Sequence, residues 1–469
     1  MVKKKQEVEL RIDRMSSEGM GIARTEEGFV VFCKDALPGD TVLAEVRKVK
    51  KNYAEAVTKS LIKESEFRVK PRCRHFGVCG GCKVQNYDYR KQLEFKTEAV
   101  RNAFEKIGGF EGIVVPGAIG SENEYFYRNK TEFSFSGEKW MTTLDEGTVK
   151  ENFAAGFHIP GFHTKVLDIE ECFLQSVTAS GVLNHAREFF KKRGATVYST
   201  RTHEGYLRFL IVRESRRTGD VMVNLITYDY NEELIKEYAK EMQERFPQVT
   251  TLLNSFTQRK AQVAFAEEAV VVYGKGYITE KLIRSGREYE FKVSPNSFFQ
   301  TNTMQAEKLY GIAAEFGDFK KTDNVLDLYC GTGSISIFIS ELVNSVKGVE
   351  LVEESILSAR ENARMNRVSN CEFEVSDIKD FIERYEGSGF NKVILDPPRA
   401  GLHPDICEEL SKGGFEKIVY VSCNPATQAR DLSIIMNKGK YRIGRVQPVD
   451  MFPQTFHVEN VVELVIRDS

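Results

Sequence analysis

Asn324-Val325-Leu326-Asp327-Leu328-Tyr329-Cys330-Gly331-Thr332-Gly333-Ser334 is the stretch on which the fold turns. The apolar run Val325–Leu328 has the length and composition of a buried strand, and helical spacing begins at Ser334 and continues to Leu342. Two glycines between them form a turn that lets backbone N–H groups approach a ligand closely at the start of a helix. A phosphate loop would need Gly-Lys-Ser/Thr here, and the dinucleotide fingerprint would need a third glycine where Ile335-Ser336 stand. Outward from this turn the alternation repeats. Val346–Val349 precedes a helix at Glu353–Asn366, and Glu372–Val375, Lys392–Leu395 and Lys417–Val421 are each followed by a helical stretch. Glu459–Ile466 is a last strand. Alternating strands and helices predict a parallel, doubly wound, Rossmann-like sheet with its ligands at the carboxyl ends of the strands.

Those strand ends carry the chemistry. Glu350 closes the second strand, where a carboxylate can accept from both hydroxyls of a ribose, and Asp377 closes the third, beside the place of an adenine ring. Acids at consecutive strand ends favour S-adenosylmethionine as the ligand. Asp396-Pro397-Pro398-Arg399 ends the fourth strand in a rigid loop that suits a ring held in one orientation. Loops of this kind in methylases of exocyclic amines end in an aromatic, and Arg399 in its place argues against that chemistry.

Val421-Ser422-Cys423-Asn424-Pro425 ends the fifth strand, with Cys423 before a helix start that favours a thiolate. A thiolate added at carbon 6 of a uracil turns carbon 5 into a nucleophile for a sulfonium methyl group, and a base must then remove the carbon 5 proton. Glu459, in Asp450-Met451-Phe452-Pro453-Gln454-Thr455-Phe456-His457-Val458-Glu459, is the candidate base, with His457 its neighbour and rival.

The remainder of the chain is read by composition. At 469 residues two to four domains are expected. A 41% hydrophobic and 29% charged composition, a polar start and no long apolar run predict a cytoplasmic protein without membrane segments. Net charge is −2, yet residues 1–100 hold 21 Lys/Arg against 15 Asp/Glu. The excess peaks from Arg47 to Arg74 and is punctuated by Tyr53 and Phe67, the pattern of a polyanion-binding surface. Val8–Ile12, Phe29–Phe32, Thr41–Val49 and Glu55–Ser60 read as short strands of a small barrel of the kind that binds single-stranded nucleic acid. Tyr87 to Lys106 reads as a helix, and residues 110–285 mix strands and helices.

Nine cysteines with no secretory leader argue against a disulfide framework. Cys33, Cys371 and Cys407 read as buried fillers, whereas Cys73, Cys79 and Cys82 cluster tightly. Spacing alone leaves iron–sulfur and zinc both open as the metal they bind.

Taken together, the Ser-Cys-Asn-Pro segment, the Asp-Met-Phe-Pro segment, the glycine turn and the cysteine cluster resemble the RNA uracil-5-methyltransferase family over nearly the whole chain. The resemblance implies Cys423 as nucleophile and Glu459 as base. It implies S-adenosylmethionine contacts from Gln300, Tyr329, Glu350 and Asp396, with Asp377 beside them, and Phe298 next to the target base. Residues 1–62 resemble the TRAM module, an OB-like RNA-binding barrel. Cys73, Cys79 and Cys82, completed by Cys172, resemble a four-iron four-sulfur site, which selects iron–sulfur over zinc and gives the cluster a structural or RNA-shaping role. The stretch around Ser136–Asn152 is longer than the family pattern and bears on substrate choice.

The expected domains are 1–62, the TRAM-like barrel; 63–90, the cluster segment; 91–285, a central α/β domain; and 286–469, the catalytic domain. The expected protein is a monomer that makes 5-methyluridine in RNA, with 23S ribosomal RNA ahead of transfer RNA. An RNA cytosine-5 methyltransferase needs a second catalytic cysteine near a Pro-Cys pair, which the sequence lacks. An inactive RNA-binding or folding factor would need neither Cys423 nor Glu459.

Overall fold

A computed structural model describes residues 2–142, 152–384 and 389–467 of the chain. Most of the long stretch around Ser136–Asn152 therefore lies outside the described residues. Among the described residues, no helix is long and apolar enough to cross a membrane.

The amino-terminal strands form a six-stranded sheet whose order begins with Glu7–Arg11 and ends with Arg14–Met15. Thr41–Val49 alternates buried and half-buried residues over its first six positions, which places Val42, Ala44 and Val46 in a small core with Leu10, Val31 and Ala54. The first and last strands in that order are not paired with each other, so the sheet is OB-like without being a closed barrel. Asp40 ties this unit to the segment around Ser65 and Arg68. It is fully buried and accepts hydrogen bonds from the Leu37 N–H, the Ser65 N–H and the Arg68 guanidinium.

The basic run is thereby reduced. Arg68 is spent on Asp40, Arg74 pairs with Glu170, Arg47 and Lys59 share Glu45, and Lys48 meets Glu55. Lys50, Lys51 and Lys70 stay exposed.

An eight-stranded sheet comes next, covered by the helices Val177–Lys192 and Glu232–Arg245. The hairpin Ile278–Arg284/Arg287–Val293 packs on the helices Thr303–Gly317 and Glu353–Met365. The boundary expected between residues 285 and 286 falls inside the turn of this hairpin, so it does not separate two folding units. The helix Tyr89–Lys106 also crosses an expected boundary. Its Val100, Ala103 and Phe104 are buried in the core of the carboxyl-terminal sheet.

That last sheet has seven strands in the order Cys371–Val375, Ser345–Glu350, Asn324–Leu328, Lys392–Leu395, Lys417–Ser422, Glu459–Ile466, Tyr441–Val449. The first five are parallel, as expected. Glu459–Ile466 alone runs antiparallel, to both Lys417–Ser422 and Tyr441–Val449, and this departure from a purely parallel sheet is what completes the site. Ser422 pairs with Asn460 across the antiparallel junction, so Cys423 leaves one strand where Glu459 opens its neighbour. A parallel strand in its place would have put Glu459 at the opposite, amino-terminal end of the sheet's strands.

Candidate active site

Strand order reverses on either side of Asn324–Leu328, and the crevice at such a point is where open α/β sheets bind ligands. A cavity of about 1190 Å³ opens there. Gly333 caps the helix after the turn with φ 75°, and a Cβ at that position would come within 2.9 Å of the Phe373 ring. Tyr329 holds a left-handed φ of 67°, which costs a non-glycine residue about 1 kcal/mol and turns its side chain into the cavity wall.

Glu350 lines the same wall. One of its oxygens accepts from the Leu351 and Val352 N–H groups at 2.8 and 3.0 Å, which fixes the carboxylate at the strand end. Leu351 and Val352 are exposed apolar residues beside it, a feature of a ring-binding surface that the sequence reading passed over. Gln300 lines the cavity and bonds Tyr310, whose hydroxyl lies 3.2 Å from Ser334 Oγ. Tyr310 carried no signal in the sequence, being one aromatic on a helix face. Asp377 does not line the cavity. It is exposed and accepts from the Lys379 N–H at 2.8 Å, at the start of the helix Ile378–Arg384, although its charge still reaches Tyr329.

Cys423, Asp396, Arg399, His457, Glu459 and Phe298 all line the cavity. The Asp-Pro-Pro-Arg loop is tied to the Cys423 turn through the Arg399 carbonyl, which accepts from Asn424 Nδ2 at 3.1 Å and Thr427 Oγ1 at 3.3 Å. Asn424 also caps the helix Pro425–Met436, so the thiol stands at a helix amino-terminus as expected.

The thiol is nevertheless raised. Burial, then Glu459 and Asp396, push Cys423 up to about 12 against the pull of Arg399. Burial and Asp396 raise Glu459 to about 8, and burial and Asp327 raise Asp396 to about 7. Asp327, also at about 7 through burial, accepts from Ser336 Oγ at 2.5 Å and leaves its other oxygen unpartnered. Each of these four groups is held back from its anionic form by burial and by its neighbours, an arrangement that favours a cationic ligand. His457 is pushed down to about 4 by burial and by Arg399, Lys96 and Arg128, so it stands as a neutral imidazole.

Glu459 and His457 follow a segment fastened from four directions. Asp450 pairs with Lys96 at 2.5 Å, both side chains fully buried, and accepts from the Tyr89 hydroxyl at 2.9 Å. Gln92 and Gln454 exchange hydrogen bonds at 3.0 Å, and the Gln454 carbonyl accepts from the Lys83 N–H at 2.9 Å. Tyr127 donates to the Pro453 carbonyl at 3.0 Å, and Asn302 to that of Met451 at 3.1 Å.

Cys73, Cys79, Cys82 and Cys172 converge on the far wall of the cavity. Burial raises all four thiols, Cys79 to about 11, and the charges of Cys172 and Cys73 push Cys79 and Cys82 further. The Gly81 N–H and Gln85 Nε2 each donate to a sulfur at 3.4 Å, contacts of the kind that tune thiolate-bound clusters. The four-iron four-sulfur centre expected on these cysteines is not borne out by the placement of their side chains. Among the described residues, no three His, Cys, Asp or Glu side chains are placed to hold a metal ion. Four thiols lining one cavity have the donor chemistry of a thiolate-bound cluster.

The five parallel strands, the glycine turn and Glu350 at the reversal point define the class as an S-adenosylmethionine-dependent methyltransferase fold. Comparison with known proteins makes this particular. The family described as tRNA (Uracil-5-)-methyltransferase matches residues 215–467, and the TRAM domain matches residues 2–59. An uncharacterized RNA methyltransferase of Chlorobaculum tepidum is 40% identical over 97% of this chain and 95% of its own. One from Bacteroides thetaiotaomicron is 40% identical over 97% and 100%. The crystal structure of the Pyrococcus abyssi tRNA (uracil-54, C5)-methyltransferase with S-adenosyl-L-homocysteine is 30% identical. It has a TM-score of 0.75 and covers 98% of this chain and 100% of that one. The chain belongs to the uracil-5-methyltransferase family of RNA methyltransferases, with an amino-terminal TRAM domain.

Proposed function

We propose that the protein transfers a methyl group from S-adenosylmethionine to carbon 5 of a uridine in RNA, with Cys423 as nucleophile and Glu459 as base. The observation that carries this reading is the meeting of Cys423, Glu459 and Asp396 in one cavity at the carboxyl ends of the parallel strands. In the reaction, Cys423 gives up its proton to solvent and its sulfur bonds carbon 6 of the uracil. The electron pair of the carbon 5–carbon 6 double bond moves onto the ring as an enolate. Carbon 5 then takes the methyl group from the donor's sulfonium, leaving S-adenosylhomocysteine. Glu459 accepts the proton from carbon 5, the carbon 5–carbon 6 double bond re-forms, and the sulfur leaves. A sulfonium beside Asp396 supplies the positive charge that these acidic groups favour, and its approach lowers the pKa of each.

Gln300, Tyr329, Glu350 and Asp396 hold the donor, and Phe298 lies against the target base. Asp377 acts on the donor side only through its charge near Tyr329. Cys73, Cys79, Cys82 and Cys172 would hold a four-iron four-sulfur cluster that cross-links the segment before the helix Tyr89–Lys106 to the central sheet. No step of the reaction runs through it. 23S ribosomal RNA is the first substrate reading, because a TRAM module and four such cysteines occur together. Transfer RNA is the second, favoured by the substrate of the Pyrococcus abyssi enzyme and by the family's description. The reading also includes a monomer acting in the cytoplasm.

Methyl-labelled donor with ribosomal and transfer RNA pools from cells lacking the protein tests this. Label is expected in 5-methyluridine of the ribosomal pool. Label confined to transfer RNA selects the second substrate, and label in cytosine or in neither pool contradicts the reading.

A further inference from the structure

A second, smaller cavity of about 290 Å³ adjoins the first. Arg128, Thr131, Phe157, Phe298 and Thr301 line both, so the two are compartments of one groove. Lys130, Glu132, Arg213, Ser297 and Phe299 belong to the smaller compartment alone. Its volume is near the lower limit of small-molecule pockets, about 300 Å³, and suits a single nucleobase better than a longer ligand.

Three features bear on what it takes. Phe298 stands between the compartments and is 66% exposed, an apolar ring presented to solvent at the centre of the groove. The charge is basic, with Arg128, Lys130 and Arg213 against the single carboxylate of Glu132, which pairs with Lys130. The wall is also built in advance. Arg213 is buried and donates to the Ser297 and Pro295 carbonyls at 2.6 and 3.2 Å. Asn129 donates through Nδ2 to the Gln300 carbonyl at 3.0 Å and through its N–H to that of Thr301 at 2.8 Å. These bonds bracket Phe298 on both sides and fix its backbone before any ligand arrives.

We propose that the smaller compartment receives the nucleobase adjacent in the RNA strand to the target uridine. The two bases lie on opposite sides of Phe298, and the phosphate that joins them lies against Arg128. This rests on the uridine reading above and adds a second recognised nucleotide to it. The physical need is clear. Drawing a uridine out of its stack costs a few kcal/mol and strips its neighbour of a stacking partner. An aromatic platform for that neighbour recovers about 1–3 kcal/mol, and a cation at the linking phosphate adds a contact that any sequence can make. A strand threaded through both compartments is unpaired over at least two nucleotides, which makes the substrate a loop or a bulge.

The test uses full-length protein and a hairpin RNA carrying the uridine that the wild type methylates. Two further hairpins place an abasic ribose on one side or the other of that uridine. Wild-type protein should bind one abasic hairpin roughly tenfold more weakly than the intact RNA, the loss of one stacked base. Glu132→Trp, which fills the mouth of the smaller compartment, should bind intact RNA roughly tenfold more weakly too, and should be indifferent to the same abasic change. S-adenosylhomocysteine binding by the variant, measured by calorimetry, reports that it is folded. Equal wild-type affinity for all three hairpins, or an undiminished abasic effect in Glu132→Trp, overturns the inference alone. Failure of the wild type to methylate any RNA overturns the proposed function and this inference with it.

Discussion

In the proposed reaction, Cys423 and Glu459 are each held in the form opposite to the one their step needs. A thiol pushed to about 12 is protected from adventitious alkylation and oxidation, and a carboxyl at about 8 stays neutral in a buried site. On this proposal a donor sulfonium nearby releases both, which would tie chemistry to donor binding. The pH dependence follows from the sign of the Glu459 shift. Only the ionised carboxylate accepts the carbon 5 proton, so kcat/KM for RNA at sub-saturating donor should rise with pH through about 8. Saturating donor should move that rise to lower pH, and a rate that falls or stays flat through this range would contradict the assignment. Cys423→Ala should abolish methyl transfer and leave S-adenosylhomocysteine binding, read by calorimetry, unchanged. The proposed nucleophile and base could be picked out in the sequence because they sit in short, distinctive segments. Tyr310 and Asp327 could not, since their roles come only from burial and from partners that the fold supplies.

At the scale of elements, the parallel strands and the glycine turn could be read from periodicity. The antiparallel return of Glu459–Ile466 could not, because a strand's direction is set by its connection and not by its own residues. The same holds for the helix Tyr89–Lys106, whose Lys96 reaches Asp450 across most of the length of the chain. Lys96 is drawn down by burial and held up by Asp450, and the pair anchors the segment that carries Glu459. Removing one member of a buried pair strands the other charge, so Lys96→Met should lower unfolding free energy by about 3–5 kcal/mol. Denaturant unfolding measures this, and a loss no larger than that of a surface substitution would show that the pair is not an anchor.

For the whole molecule, the cavity is shared. Its walls come from the cysteine segment, the central sheet and the methyltransferase sheet together. The TRAM unit stands next to it, with Gly19 against the Phe456 ring. Its basic run was legible as composition, but half of its cations are neutralised by carboxylates that only the fold brings near. In this unit Lys50 and Lys51 stay exposed and are the candidates for RNA attraction. Reversing the charge of Lys50 and Lys51 should weaken RNA binding and flatten its dependence on salt, by about one unit of log–log slope for each phosphate left unneutralised. Donor affinity should not change. An unaltered salt slope would place the RNA path elsewhere.

The covalent step is the centre of this account, and Glu459→Gln tests it most directly. Without a base, the reaction should stop after methyl transfer with the uridine still bonded to sulfur. Denaturing gels of the variant with RNA and donor should show a slow, RNA-dependent band, and mass spectrometry of its peptides should find a 5-methylated uridine joined to Cys423. Normal turnover with no such band, or a bond to any residue other than Cys423, would contradict the mechanism.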